Sequence, residues 1–292
     1  MISVVIPALN SAETIAHTLS SIFSNEFPSN NLEVIVVDNG SVDGTEEIAA
    51  KFPVRLYYCS KRGYAPTLNV GIKKAKGELV CFTASDCIVY ENWLEKISEF
   101  FDKNPDVDGV GGPVLSPQTG FKNDIEKFTA ELWIEDNKFP KKVQNAQYMR
   151  MYSGGMLGIT NCAYKKETLV SEGFFDESVG HSSDVDFTWR LIKKGRLLVF
   201  DPSIKVVHIG FPYSLQGVFN QQFRWGKNFT RVLKKYRSFN IVDDLKVEIM
   251  CFRQLTAAFL ILMLPSRQSI TKRMLRCYHY IWFHLGRIYG RG

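Results

Sequence analysis

Within the first hundred residues, four short apolar runs each give way to a polar loop and then to a helical pattern, and this alternation narrows the possible folds more than any other feature. Ser3-Val4-Val5-Ile6-Pro7 is a β-branched run stopped by proline, and Asn10 or Ser11 can cap a helix over 12–23. The second run, over 32–37, is almost continuously apolar, as a parallel strand covered on both faces must be. It leads through Asp38-Asn39-Gly40-Ser41 into a helix over 46–51. A strand over 55–59 then precedes a helix over 63–76, stopped by Gly77, and a fourth strand opens at Val80. Such β–α repetition predicts an α/β fold with a doubly wound sheet, which binds ligands beyond the carboxyl ends of its strands. Asn10, Asp38-Asn39 and Ser85-Asp86 follow those ends and are expected to share one crevice.

The fourth run is broken at Thr83-Ala84-Ser85-Asp86 and becomes apolar again through Val89. An acid at the end of a buried strand is costly unless a ligand, a metal or a hydrogen-bond network holds it. Asp86 is therefore expected to face a ligand.

Beyond Trp93 the pattern changes. A helix over 93–103 and a strand over 107–111 are legible, whereas 113–150 is aromatic and carries no clean period. A glycine-bearing strand over 154–164 leads into a helix over 165–170, and Ser183-Asp184-Val185-Asp186 precedes a helix over 187–194 stopped by Gly195. Short strands follow over 197–200 and 204–208, the second ending on His208, and then a helix over 219–233. No internal repeat or low-complexity linker interrupts the chain, which weighs against two independent domains. With 292 residues, 45% hydrophobic and 23% charged, it can bury one large core, or one core with a smaller appended element. Its six cysteines include no C-x-x-C pair, which favours buried thiols in a reducing compartment over disulfides or a zinc site. The opening strand has no basic leader before it, so no secretory signal is expected.

Charge is unevenly placed. Residues 221–292 hold 14 Lys/Arg against 3 Asp/Glu, a net +11, so the preceding 220 residues sum to −5. Within this tail, 255–264 is free of charge for ten residues, about half of the ~20 that a spanning helix needs. A buried core helix and an interfacial or re-entrant hairpin both fit it. Residues 269–291 mix Lys272, Arg273, Arg276 and Arg287 with Tyr278, Tyr280 and Trp282, the composition of a membrane-surface element. Peripheral attachment to the cytoplasmic membrane face is expected. Nucleic-acid binding is not, because no recognition module accompanies the charge.

Several motifs together resemble the family-two glycosyltransferases with the GT-A fold. They are Val4-Val5-Ile6-Pro7-Ala8-Leu9-Asn10, Val36-Val37-Asp38-Asn39-Gly40-Ser41, the Gly63…Asn69-x-Gly71 helix and Ala84-Ser85-Asp86. Gly173-Phe174-Phe175-Asp176-Glu177, Ser183-Asp184-Val185-Asp186 and Gln221-x-x-Arg224-Trp225 continue the series. The resemblance covers roughly residues 1–230 and implies a mixed sheet with a nucleotide half (1–112) and an acceptor half (113–230). Residues 231–292 would then form a basic, amphipathic helical extension.

Carried over by position, the resemblance implies that Pro7, Ala8, Asn10, Asp38, Asn69, Ser85 and Asp86 bind the nucleotide diphosphate of a UDP- or GDP-sugar. Asp38 would accept hydrogen bonds from the base. Asp86 is the last acid of the family's D-x-D position, whose first acid is Ala84 here; with His208 as a possible second ligand it would hold Mg²⁺ or Mn²⁺. Asp184 falls on the family's base for inverting transfer, where the usual preceding Glu is Ser183, and Asp186 is the fallback. Asn161, Gln221, Arg224 and Trp225 would line the acceptor site. The implied function is transfer of one sugar to a glycan or lipid-linked acceptor in cell-envelope biosynthesis. A catalytically impaired nucleotide-sugar binding or scaffold protein is the alternative, because of Ala84 and Ser183.

Overall fold

The structure is a computed structural model that describes residues 1–136, 139–145, 157–236 and 270–289. In chain order its first elements are β1 (Ile2–Ala8), α1 (Ile15–Phe23), β2 (Leu32–Asp38), α2 (Thr45–Ala49), β3 (Arg55–Tyr58), α3 (Tyr64–Lys74), β4 (Leu79–Thr83), β5 (Cys87–Val89) and α4 (Trp93–Lys103). Then come β6 (Gly109–Gly111), β7 (Val114–Leu115), α5 (Asp124–Asp136), β8 (Gln144–Asn145), β9 (Asn161–Lys165), α6 (Lys166–Ser171) and α7 (Ser183–Lys193). The last are β10 (Leu198–Phe200), β11 (Val206–His208), α8 (Leu215–Lys235) and α9 (Ile270–Tyr289). The chain divides into two compact units, one of Met1–Pro117 with Asp136–Gly210, the other of Gln118–Glu135 with Phe211–Gly292.

The first unit is built on an eight-stranded mixed sheet in the order β3-β2-β1-β4-β9-β6-β10-β8. β3, β2, β1 and β4 run parallel, β9 enters antiparallel to both β4 and β6, and β10 is parallel to β6. Every residue of β1 is buried, as its uninterrupted apolar run requires of a central strand. Gly71 lets α3 lie close to it, since a Cβ there would meet Val5 Cγ1 at 2.3 Å.

The broken run that ends in Asp86 is two strands in two sheets. β4 belongs to the large sheet, and β5 joins a small one of order β5-β11-β7. β11 lies antiparallel on β5, with His208 opposite Cys87. The tetrapeptide Thr83–Asp86 is thus the turn by which the chain changes sheets, and Asp86 owes its position to it.

α7 starts at Ser183, four residues before the start expected from periodicity, so Asp184 and Asp186 stand in its first turn, where acids are favoured by the helix dipole. Phe187 and Leu191 on its inner face are fully buried, Phe187 against Tyr164 at 5.4 Å and Phe175 at 4.8 Å between ring centroids. Burying such a side chain is worth about 1.5–3 kcal/mol, and it fixes the helix that carries Asp184.

In the second unit, α5, α8 and α9 share a small core of Leu132, Val218 and Leu275. α8 and α9 cross at contact distance of their backbones: a Cβ on Gly226 would stand 1.9 Å from the Phe283 carbonyl oxygen, and one on Gly286 2.1 Å from that of Phe223. Among the described residues no helix is long and apolar enough to cross a membrane. The apolar segment 255–264 and the glycines at 154 and 155 lie outside the described residues.

Candidate active site

Asp86 and His208 form the centre of the site. Asp86 Oδ2 lies 3.3 Å from His208 Nε2, both side chains partly open to solvent. The Asp86 carbonyl accepts the Ile209 N–H at 2.8 Å, so β11 is tied to the turn by main chain as well. Burial alone would raise the Asp86 carboxyl, but the His208 ring beside it holds it below the usual carboxylate range. The same contact lifts the imidazole of His208 against the downward push of its own burial. Gly210 makes this possible, because a Cβ there would fall 2.1 Å from Asp86 Oδ2.

The pair fits a divalent cation. Two neighbouring ligands of an octahedral ion with bonds of ~2.1 Å stand about 3 Å apart, close to the observed separation. Cys87 is the third donor within 4.8 Å, but burial, and then the charge of Asp86, push its thiol well above its ordinary range. A protonated thiol is no ligand for a hard cation. Ala84 adds no side-chain oxygen, so among the described residues Asp86 and His208 are the donors that would suit such a cation.

Asp184 accepts the N–H of Val185 through Oδ1 at 2.8 Å and remains partly exposed. Its low-polarity surroundings raise its carboxyl, opposed by the backbone N–H groups of Val185 and Ile159. Burial drives the Tyr64 phenol well above its usual range, and the negative charges of Asp184 and Asp86 add to that shift. The Tyr64 ring stacks on His181 at 5.5 Å, in the 3-10 segment Glu177–Ser182 that leads into α7. Sequence reasoning passed over Tyr64, the first residue of α3.

Asp186 is not a candidate base. It is fully buried and ion-paired to Arg190 Nε at 3.1 Å, while the Arg190 guanidinium donates to the carbonyls of Glu172 and Phe174. Ser183, where the family resemblance led one to look for Glu, is fully buried, and its Oγ has no hydrogen-bond partner among the described residues.

The nucleotide-side residues separate into two groups. Asn10, with φ 50°, is exposed, and its Oδ1 accepts the Val42 N–H at 3.0 Å, joining the loops after β1 and β2. Ser85 Oγ meets Ser11 Oγ at 2.7 Å, which ties the β4 turn to the β1 loop. Pro7 and Ala8, by contrast, are buried within β1. Asp38 is 3% exposed and engaged in its own turn, accepting the N–H groups of Gly40 (2.8 Å) and Ser41 (3.0 Å) and the Ser41 hydroxyl. These bonds shape the loop after β2.

Two residues expected at the ligand are engaged by protein partners. Asn69 closes a reciprocal pair with the backbone of Phe175 (2.9 and 3.0 Å) and donates to Glu177 at 3.1 Å. It clamps the loop that precedes α7. Asn161 is 1% exposed, accepts from Trp93 Nε1 at 2.8 Å and donates to the carbonyls of Pro113 and Ile204. Both of its amide hydrogens and its oxygen are engaged by protein, so it fixes β9 against its neighbours.

Gln221, Arg224 and Trp225 lie on α8 in the second unit. Arg224 is exposed, and Trp225 is half-buried against Trp133 at 5.9 Å between ring centroids.

The family model for glycosyl transferase family 2 matches residues 3–167, more than half of the chain. The chain belongs to glycosyl transferase family 2. It is a glycosyltransferase, and its mixed sheet is that of the GT-A fold. Glycosyltransferase AglE of Haloferax volcanii is 27% identical over 238 residues, 79% of this chain and 73% of that protein. A poly-beta-1,6-N-acetyl-D-glucosamine synthase of Staphylococcus epidermidis is 26% identical over 263 residues, 88% of this chain but only 61% of the synthase. Among solved structures, mannosyltransferase PcManGT from Pyrobaculum calidifontis, in complex with GDP-Man and Mn²⁺, superposes with a TM-score of 0.61 at 18% identity, over 99% of this chain and 73% of its own. S. aureus TarS 1–349 in complex with UDP-GlcNAc gives 0.56 at 17% identity, over 99% and 91%. At such identities these structures speak for the fold.

Proposed function

We propose that the protein moves one sugar, with inversion, from a UDP- or GDP-sugar to an acceptor hydroxyl in the synthesis of a cell-envelope or lipid-linked glycan. The observation that carries this reading is the Asp86–His208 pair at 3.3 Å in the turn after β4, with Asp184 in the first turn of α7 of the same unit; it supports a site for the diphosphate and a site for a base. The names of the relatives and the nucleotide sugars in PcManGT and TarS support the donor class.

The acceptor hydroxyl gives its proton to the Asp184 carboxylate as its oxygen bonds to the anomeric carbon of the donor sugar. The bond from that carbon to the diphosphate breaks on the opposite face, so the configuration inverts. Asp86 and His208 are the residues that would hold Mg²⁺ or Mn²⁺, which offsets charge on a departing diphosphate. Asn10 and Ser85 orient the donor end of the crevice. Asp38 keeps the loop after β2 in shape, and Gln221, Arg224 and Trp225 are assigned to the acceptor. The acceptor's lipid carrier would bring the protein to the cytoplasmic membrane face.

A screen of nucleotide sugars for a rise in melting temperature identifies the donor, and release of its nucleoside diphosphate on addition of acceptor then tests transfer. Stabilisation by a donor with no release under any acceptor would favour the binding or scaffold reading, for which Ala84 and Ser183 speak.

A further inference from the structure

α8 carries five Lys/Arg and no acid, and α9 carries four Lys/Arg and no acid. On α8, Arg224, Lys227, Arg231 and Lys234 recur at i, i+3, i+7 and i+10, with Lys235 beside them, so the cations form one stripe. All but the half-buried Lys227 are exposed. On α9 the buried side chains include polar ones as well as Leu275, and several apolar ones face outward. Arg287 and His284 are buried at 3% and 8%, whereas Met274, Ile281, Leu285 and Tyr289 are exposed at 59%, 46%, 39% and 64%. Met274, Ile281 and Leu285 recur at i, i+7 and i+11, a single face.

The two stripes lie on the same side of the helix pair. Lys227 Nζ stands 4.8 Å from the centre of the Tyr289 ring, and Phe223 meets that ring at 5.6 Å. The basic edge of α8 thus continues into the apolar edge of α9, held in fixed relation by the close Gly226 and Gly286 crossing.

We propose that this side of the α8–α9 pair docks on an anionic lipid bilayer, with the α8 cations at the headgroups and Met274, Ile281 and Leu285 entering the acyl boundary. The inference rests on the membrane-face reading above and names the surface and the lipid chemistry. Adjacent basic and apolar stripes with an aromatic at their junction match the layering of a bilayer surface. A nucleic acid would leave the aliphatic stripe without a partner. A second copy on a two-fold axis would set the basic stripe near its own image.

Flotation of the full chain tests it, with vesicles of phosphatidylcholine alone and with about 30% phosphatidylglycerol added. The wild-type chain is expected to float with the anionic vesicles and far less with the neutral ones. Arg231→Ala, Lys234→Ala and Lys235→Ala together should lower partitioning on the order of 100-fold, roughly fivefold per cation. Ile281→Asp with Leu285→Asp should abolish flotation while circular dichroism and nucleotide binding stay as in wild type. A wild-type chain left unbound by both vesicles, or a triple variant that partitions as wild type does, overturns the proposal. A dimer dispersed by Ile281→Asp with Leu285→Asp would instead assign the face to a second copy. Transfer to a water-soluble acceptor is followed in parallel. Transfer without flotation sinks the docking surface alone, and flotation without donor turnover sinks the transferase reading alone.

Discussion

Asp86 Oδ2 and His208 Nε2 stand 3.3 Å apart, brought together because β11 pairs with β5 directly after the turn that carries Asp86. If this pair is the protein's share of a metal site, His208→Ala should weaken Mn²⁺ binding in the presence of UDP or GDP by at least ~10-fold. Isothermal titration of a chelator-treated preparation reads this directly. An unchanged affinity would release His208 from metal duty.

Gly210 should tolerate no side chain. The Cβ of Gly210→Ala would overlap Asp86 Oδ2, so either the carboxylate or the end of β11 must shift. Displacing a reacting group by ~1 Å can cost about 100-fold in rate, and turnover is expected to fall by that order while the melting temperature changes little. Wild-type turnover in Gly210→Ala would show that Asp86 has room to spare.

For Asn161 the expected loss is in stability. Asn161→Leu strips the partner from Trp93 Nε1 and from the Ile204 carbonyl, while the Pro113 carbonyl keeps the Val206 N–H at 3.3 Å, and each buried orphan costs about 1–3 kcal/mol. Urea unfolding should show a drop of about twice that unit. A variant with native stability and a raised KM for the acceptor would return Asn161 to the substrate site.

Asp184 links function to stability through its raised carboxyl. As pH rises through the ordinary carboxylate range, the unfolded chain releases this proton first. Folded stability therefore falls until pH passes the folded value, and the penalty stays above it. Asp184→Asn should accordingly melt higher than wild type at neutral pH, the gap closing as pH drops below the ordinary value. For the wild-type enzyme the acidic limb of the rate profile should lie above the range of a free aspartate, since the base must be ionised. Equal melting at neutral pH would argue against the burial penalty.

The α/β order and the parallel half of the sheet were legible because they are local: periodicity and loop chemistry within about a dozen residues specify them. What the sequence hid is long-range. Asn69 and Asn161 read as ligand contacts from their motifs, yet their amides are consumed by Phe175 and by Trp93, Pro113 and Ile204, partners that only the tertiary fold supplies. Gly210 carries no motif, and its importance exists only once β11 lies beside Asp86. The early start of α7 was missed because Asp184 and Asp186 interrupt the apolar period, although two acids in a first turn are themselves a start signal.

The central claim, that Asp184 is the base of an inverting transfer, is tested most directly by comparing wild type with Asp184→Asn at saturating donor and acceptor. Release of the nucleoside diphosphate and the anomeric configuration of the product are the two readouts. The account predicts an inverted product from wild type and a loss of roughly 100- to 10,000-fold in turnover for Asp184→Asn, with nucleotide binding preserved. Turnover undiminished in that variant, or a product that retains the donor's configuration, would contradict it.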